Sequence, residues 1–133
     1  MRVLLDTHTF LWFVGGDGAL SKTCLELIEN QDNAVLLSVA SLWEVAIKMG
    51  LGKLEVHGAH TVQELVDVGV SANRLELLGI TPRHLDHVRT LPLHHRDPFD
   101  RLLVAQALSE NLVLLSRDHA LAAYGVQVLW QTG

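Results

Sequence analysis

The sequence holds a single cysteine, Cys24, among 133 residues. That excludes an intrachain disulfide and any zinc site built on several thiolates, and it makes a reducing cytoplasm the expected location. Long apolar runs are also missing, since no stretch approaches the roughly 20 residues of a membrane span. The opening "MRVLLDTH" does not read as a signal peptide, because Asp6 interrupts it before an apolar core of useful length. Positive charge is scarce, with 10 Lys and Arg against 15 Asp and Glu and a formal net charge of −5 with histidine neutral. A general nucleic-acid binder carries a basic face, so this balance argues against broad phosphate-backbone binding. It leaves room for an enzyme that holds phosphates through divalent cations. A P-loop is absent too: "GLGK" (50–53) ends in Gly-Lys but lacks the spacing and the strand-before, helix-after setting.

What is present suits one α/β domain over residues 1–133, with 49% apolar residues to build a core. Five short β-type runs recur: "RVLL" (2–5), "AVLLS" (34–38), "LELLGI" (75–80), "NLVLLS" (111–116) and "VQVLW" (126–130). Apolar runs of this kind fit strands buried on both faces of a parallel sheet. Segments of helical spacing lie between them. "THTFLWFV" follows the first run, Leu25 and Ile28 mark a second helix, and Leu42, Val45, Ala46 and Met49 a third. Val62, Leu65 and Val66 mark a fourth, Thr81 and Pro82 form an N-cap and N1 pair, and Leu102 to Ala107 continue the helix opened by "HHRDPFDRLL" (94–103). Alternating strands and helices predict a mostly parallel sheet.

The carboxylates fall where such a sheet places its sites. Asp6 ends the first strand, Asp118 lies just past the fourth, and Glu44 follows the second by about one and a half helical turns. Asp97 and Asp100 sit at the start of the helix leading into the fourth strand. Ligands of open α/β sheets bind outside the carboxyl ends of the strands, near the point where strand order reverses. Each acid also has a structural reading. Asp6, Asp97 and Asp118 can be N-caps, Ser41 and Glu44 have capping-box spacing, and Asp100 complements a helix dipole. Their joint placement on one edge is what a cation site requires and independent caps do not. Clustered carboxylates repel one another unless a hard cation such as Mg²⁺ or Mn²⁺ neutralises them. Phosphodiester hydrolysis is the natural chemistry for such a site without a P-loop.

These motifs together resemble the PIN domain, specifically the small VapC-like ribonucleases of toxin–antitoxin pairs. The resemblance rests on "LLDTH", "SLWEVAIK", "DPFDRLLVAQA", "LLSRD" and "YGVQVLW" in this order, and "DPFDRLL" is typical of one subgroup. It implies a three-layer α/β/α sandwich and Mg²⁺- or Mn²⁺-dependent cleavage of RNA. It also implies a cognate antitoxin that wraps the N-terminal helices, and commonly a homodimer. Asp6, Glu44 and Asp118 take the roles of metal-binding acids. Asp100 aligns best with the remaining acid, with Asp97 as a cap or second contact, and Ser116 matches a hydroxyl that orients water. His8 stands where the family commonly has asparagine.

The other polar and aromatic residues are read more plainly. Neighbouring side chains of an extended segment point to opposite faces, so His94 and His95 are expected to meet solvent or substrate rather than share an ion. His57, His60, His84, His87 and His119 show no pairing beyond the helical spacing of His84 and His87. Trp12 and Trp43 are expected in the core. Arg96, Arg101 and Arg117 flank the acids and either grip phosphate or lie solvated on the surface. "THTFLWFVGG" carries more apolar residues than one buried stripe needs, which leaves surface for an antitoxin or a second copy. Two other readings stay open: a housekeeping PIN nuclease without an antitoxin, and a non-catalytic metal-dependent binding module. A phospho-receiver version of the latter expects an acidic pair after the first strand and a lysine after the last, and neither is present.

Overall fold

In the computed structural model, which describes residues 1–131, the first strand is the centre of the sheet. β1 (Arg2–Leu5) pairs with β2 (Ala34–Ser38) on one side and β4 (Val113–Leu115) on the other. β3 (Glu76–Leu78) extends the sheet beyond β2, and β5 (Val128–Leu129) beyond β4, giving the order β3-β2-β1-β4-β5 with every pairing parallel. Of the three inner strands, β1 and β2 keep their predicted bounds and β4 is shorter than its run, as both edge strands are. An edge strand is held by one ladder only, so its ends are the first to leave the sheet.

Alternation along the inner strands feeds two apolar layers. Val3, Leu5, Val35, Leu37 and Leu115 face one cluster. α1 (Thr7–Gly15) adds Phe10 to it, α2 (Lys22–Glu29) adds Cys24 and Ile28, α3 (Val39–Gly50) adds Leu42 and Val45, and α4 (Val62–Leu65) adds Leu65. Leu4, Leu36 and Leu114 face the opposite cluster, with Leu103, Val104 and Ala107 of α6 (Pro98–Glu110) and Tyr124 of the 3₁₀ segment His119–Tyr124. α5 (Pro82–Thr90) packs on α6. The predicted three-layer sandwich is therefore the observed one. No helix among the described residues is long and apolar enough to cross a membrane.

Three local expectations are corrected. Leu25 is on the outer side of α2, and Cys24 joins Ile28 in the buried stripe. Ser41 and Glu44 do not form a capping box, because α3 begins directly at the end of β2. Ser38 is its N-cap, with Oγ accepting from the Ala40 amide at 3.0 Å. Trp43 is not core but 58% exposed. With Val39, Ile47 and, past the helix end, Leu51, it forms an exposed apolar stripe at four-residue spacing on α3.

The apolar excess of α1 is largely spent within the chain. Leu11, Trp12, Phe13 and Val14 are half-buried against the first cluster, and Trp12 meets Trp130 edge-on at 5.7 Å. Gly69, in the wide turn Val66–Val70 after α4, permits this packing. A Cβ there would lie 2.9 Å from Val14 Cγ2 and 3.0 Å from Phe10 Cζ. The unsatisfied apolar surface thus lies on α3 rather than α1.

Candidate active site

From β1 the chain steps to β2 on one side, while β4 returns on the other. The crevice between the carboxyl ends of β1 and β4 is therefore where strand order reverses. Asp6 follows β1 immediately, and its amide donates to the Leu115 carbonyl at 3.1 Å, tying it to the end of β4. Asp118 lies three residues past that carbonyl. α3 and α6 both start at this edge, which brings Glu44, Asp97 and Asp100 to it.

Three of the aspartates are indeed N-caps, but each cap uses one oxygen. Asp6 Oδ1 accepts from the Thr9 amide at 2.9 Å. Asp97 Oδ1 accepts from Phe99 and Asp100 at 2.8 and 3.3 Å, and Asp118 Oδ1 from Ala120 at 3.1 Å. The second oxygen of Asp6 and of Asp97 makes no hydrogen bond among the described residues, and that of Asp118 meets His95. Ser116 is fully buried, and its Oγ accepts from the Asp118 amide at 3.0 Å, fixing the turn that presents Asp118. Glu44, buried, accepts from the Thr7 hydroxyl through Oε1 at 2.7 Å and from Lys48 Nζ through Oε2 at 2.7 Å. Lys48 occupies the oxygen for which a cation would compete.

Asp100 and Asp118 converge with His95: one ligand atom from each lies within 4.8 Å of the others. His95 Nε2 is 3.1 Å from Asp118 Oδ2 and 3.7 Å from Asp100 Oδ2. His95 Nδ1 accepts from the Asp97 amide at 3.2 Å, so neutral His95 carries its proton on Nε2, facing the two carboxylates. His95 thus faces two carboxylates, whereas His94 is turned outward against the Tyr124 ring at 5.0 Å. Asp97 is the cap and stands outside this trio. Asp100 is pushed up to about 7 by burial and then by the charges of Asp97 and Asp6, with His95 opposing and Glu44 adding to the rise. Asp6, Glu44 and Asp97 thus act electrostatically on the pocket that Asp100 and Asp118 line.

The segment carrying His95 is pinned from a distance. The Tyr124 hydroxyl accepts from the His94 and His95 amides at 3.1 and 2.8 Å. Arg101 reaches the same hydroxyl at 3.1 Å and the Pro92 carbonyl at 2.9 Å, with longer contacts to the carbonyls of Val88 and Leu91 at the end of α5. Arg101 is thus a structural staple and not a phosphate grip. Arg101→Ala is expected to lower unfolding free energy by about 2 kcal/mol, as for the loss of charge-assisted hydrogen bonds. A urea midpoint measured without any RNA checks this, and an unchanged midpoint contradicts it. His84 is likewise structural. It is fully buried, with Nδ1 accepting from the Thr81 amide at 3.1 Å and Nε2 2.8 Å from Glu110 Oε1. His8 is exposed beside the Trp12 ring.

The donor set fits a hard divalent cation. Carboxylate oxygens of Asp100 and Asp118 converge with one imidazole nitrogen, and burial together with the nearby acids raises Asp100, which a cation would offset.

Comparison with known proteins matches the PIN domain family to residues 3–127. No curated protein matches the sequence. Among solved structures, VapBC2 from Rickettsia felis bound to a promoter DNA fragment shares 17% identity at a TM-score of 0.74, over 98% of this chain and 100% of that one. DNA-bound VapBC from Salmonella typhimurium shares 16% at 0.69, over 97% of each chain. FitAcB from Neisseria gonorrhoeae shares 16% at 0.66, over 97% of this chain and 96% of that one. At these identities the likeness is one of fold.

Proposed function

This chain belongs to the PIN domain family, and on that premise we propose that it is a divalent-metal-dependent endoribonuclease, the toxin of a toxin–antitoxin pair. PIN domains are nucleases. The observation that carries the reading here is the convergence of Asp100 and Asp118 at the β1/β4 crevice, beside Asp6 and Glu44, with oxygens left over from capping.

In this reading Asp6, Glu44, Asp100 and Asp118 hold Mg²⁺ or Mn²⁺, and Asp97 starts α6 and adds charge nearby. Such an ion, when bound, supplies Lewis acidity toward the phosphodiester and a water-derived nucleophile at neutral pH. The chain's own groups prepare the site. His95 donates from Nε2 to Asp118 Oδ2 and orients it, and Thr7 fixes Glu44. Ser116 sets the Asp118 turn, and in this reading its hydroxyl would orient a water. Lys48 neutralises Glu44 until a cation displaces it.

An antitoxin partner is supported by the fold shared with the VapBC and FitAcB complexes, and a homodimer and a cytoplasmic site of action are part of the same reading. Purified protein is expected to cleave RNA with Mg²⁺ or Mn²⁺ and to stop on chelation. No cleavage of any RNA by the folded, metal-supplied chain sinks the proposal. Expression is expected to arrest growth, and co-expression of the product of a neighbouring gene for a short DNA-binding protein to relieve it. Cleavage without such a partner favours the housekeeping nuclease, and metal binding without turnover the binding module.

A further inference from the structure

We infer that the cleft between α3 and the start of α6 is a nucleotide subsite, holding the base of an unpaired RNA residue next to the scissile phosphate. The inference rests on the ribonuclease reading and adds a location and a chemistry for substrate contact. The cleft measures about 410 Å³, within the ~300–1,000 Å³ range of small-ligand sites. Its walls are apolar: Phe99 and Pro98 from α6 face Ile47 of α3. Glu44 and Asp97 line it as well, so it is continuous with the acid pocket. Arg96 supplies positive charge, while Lys48 is paired with Glu44 at 2.7 Å. Arg96 is exposed and makes no ion pair among the described residues.

Each wall has a feature that a core does not need. Trp43 is left 58% exposed yet holds the Phe99 ring at 5.1 Å and 70°, so the ring is fixed before anything binds. Ile47 is 40% exposed on the same stripe. A preset aromatic ring flanked by an unpaired guanidinium matches a nucleobase together with its phosphate, because stacking and charge are both satisfied. An apolar peptide anchor would satisfy the walls and leave Arg96 covered without a counterion. The charge pattern therefore favours a nucleotide.

The test is fluorescence anisotropy with the full chain carrying Asp6→Asn, so that RNA is bound and not cut. The probes are labelled oligouridylate, oligoadenylate and an abasic ribose-phosphate oligomer of equal length. The base-bearing probes are expected to bind more tightly than the abasic one. Phe99→Ala, and separately the surface change Ile47→Ser, are expected to weaken the base-bearing probes about tenfold, as for loss of one base–aromatic stack. The abasic probe is expected to be unaffected by either. Arg96→Ala is expected to weaken all three probes and to lower the salt dependence by about one phosphate contact. Equal effects of Phe99→Ala on basic and abasic probes, or none, overturn the subsite while leaving the nuclease reading intact if the wild-type chain still cuts RNA. Absence of both binding and cleavage overturns both. A fall in molar mass of Phe99→Ala by light scattering assigns the face to a contact between copies and also overturns the subsite.

Discussion

Replacing Asp6 by asparagine is expected to reduce RNA cleavage by well over 100-fold in a chain that stays folded. The side chain is buried at the end of β1, and its Oδ1 caps α1 through the Thr9 amide. Asparagine caps as well as aspartate does, through the same carbonyl geometry. What it removes is the negative charge and an anionic oxygen for the cation. Loss of residues that merely orient metal ligands typically costs about 10–100-fold, so loss of a ligand itself should exceed that. Asp118→Asn repeats the argument, since an amide oxygen still accepts from Ala120 while the contact with His95 Nε2 loses its charge. Initial rates on a labelled RNA together with a urea unfolding curve decide the point. The unfolding free energy should hold to within about 0.5 kcal/mol, as for exchange of one good N-cap for another. Near-normal rates in either variant would remove these carboxylates from the site.

The second large effect is in pH and metal dependence. The Asp100 carboxyl is raised from 3.8 to about 7, first by burial and then by its acidic neighbours. A carboxyl whose folded value is raised keeps a proton that the unfolded chain has released. Its contribution to stability is fully present below pH 4 and is lost as pH rises through about 7. Other carboxylates act in the opposite sense at the acid end, so the expected signature is a decline in metal-free melting temperature between roughly pH 5 and 8. Mg²⁺ should reverse that decline, because it binds the ionised form. Its apparent affinity should fall about tenfold for each pH unit below 7 and level off above it, as one proton competes with the ion. Melting curves with and without saturating Mg²⁺ read both trends. Asp100→Asn should flatten the metal-free decline and abolish the metal shift. A metal shift that survives in that variant would place the ion elsewhere.

Much of this arrangement is legible in the linear sequence, and the parts that are not have a common cause. β1, β2 and the caps at Thr81 and Asp97 follow local rules, so the pattern of apolar runs and small polar residues predicts them. The convergence of acids is legible because parallel topology sends every strand end to one edge. The site residue missed by sequence reasoning is His95. Its ring faces Asp118 only because Tyr124, about thirty residues later, accepts from the His94 and His95 amides and bends the segment. The same distant hydroxyl makes Arg101 a staple, where the sequence left a phosphate grip and a solvated surface residue both open. Nothing in "HHRDPFDRLL" carries that information. Its adjacency to a tyrosine in the "YGVQVLW" motif was the available signal, and it becomes meaningful only once β4 and the 3₁₀ segment are in place. Trp43 fails for a related reason: helical spacing gives the stripe, and tertiary packing decides which stripe is inward.

β1 is the middle strand of the sheet, and its β4 partner begins far along the chain at Val113. At typical synthesis rates of ~5–20 residues per second, roughly 5–25 s separate the emergence of these two strands. Throughout that interval Asp6 has no Asp118 to meet and no Leu115 carbonyl to receive its amide. The cluster is therefore assembled from segments far apart in sequence and forms only after Asp118 has left the ribosome. A chain released before that point lacks it, so its formation waits on the slow closure of a long-range parallel pairing.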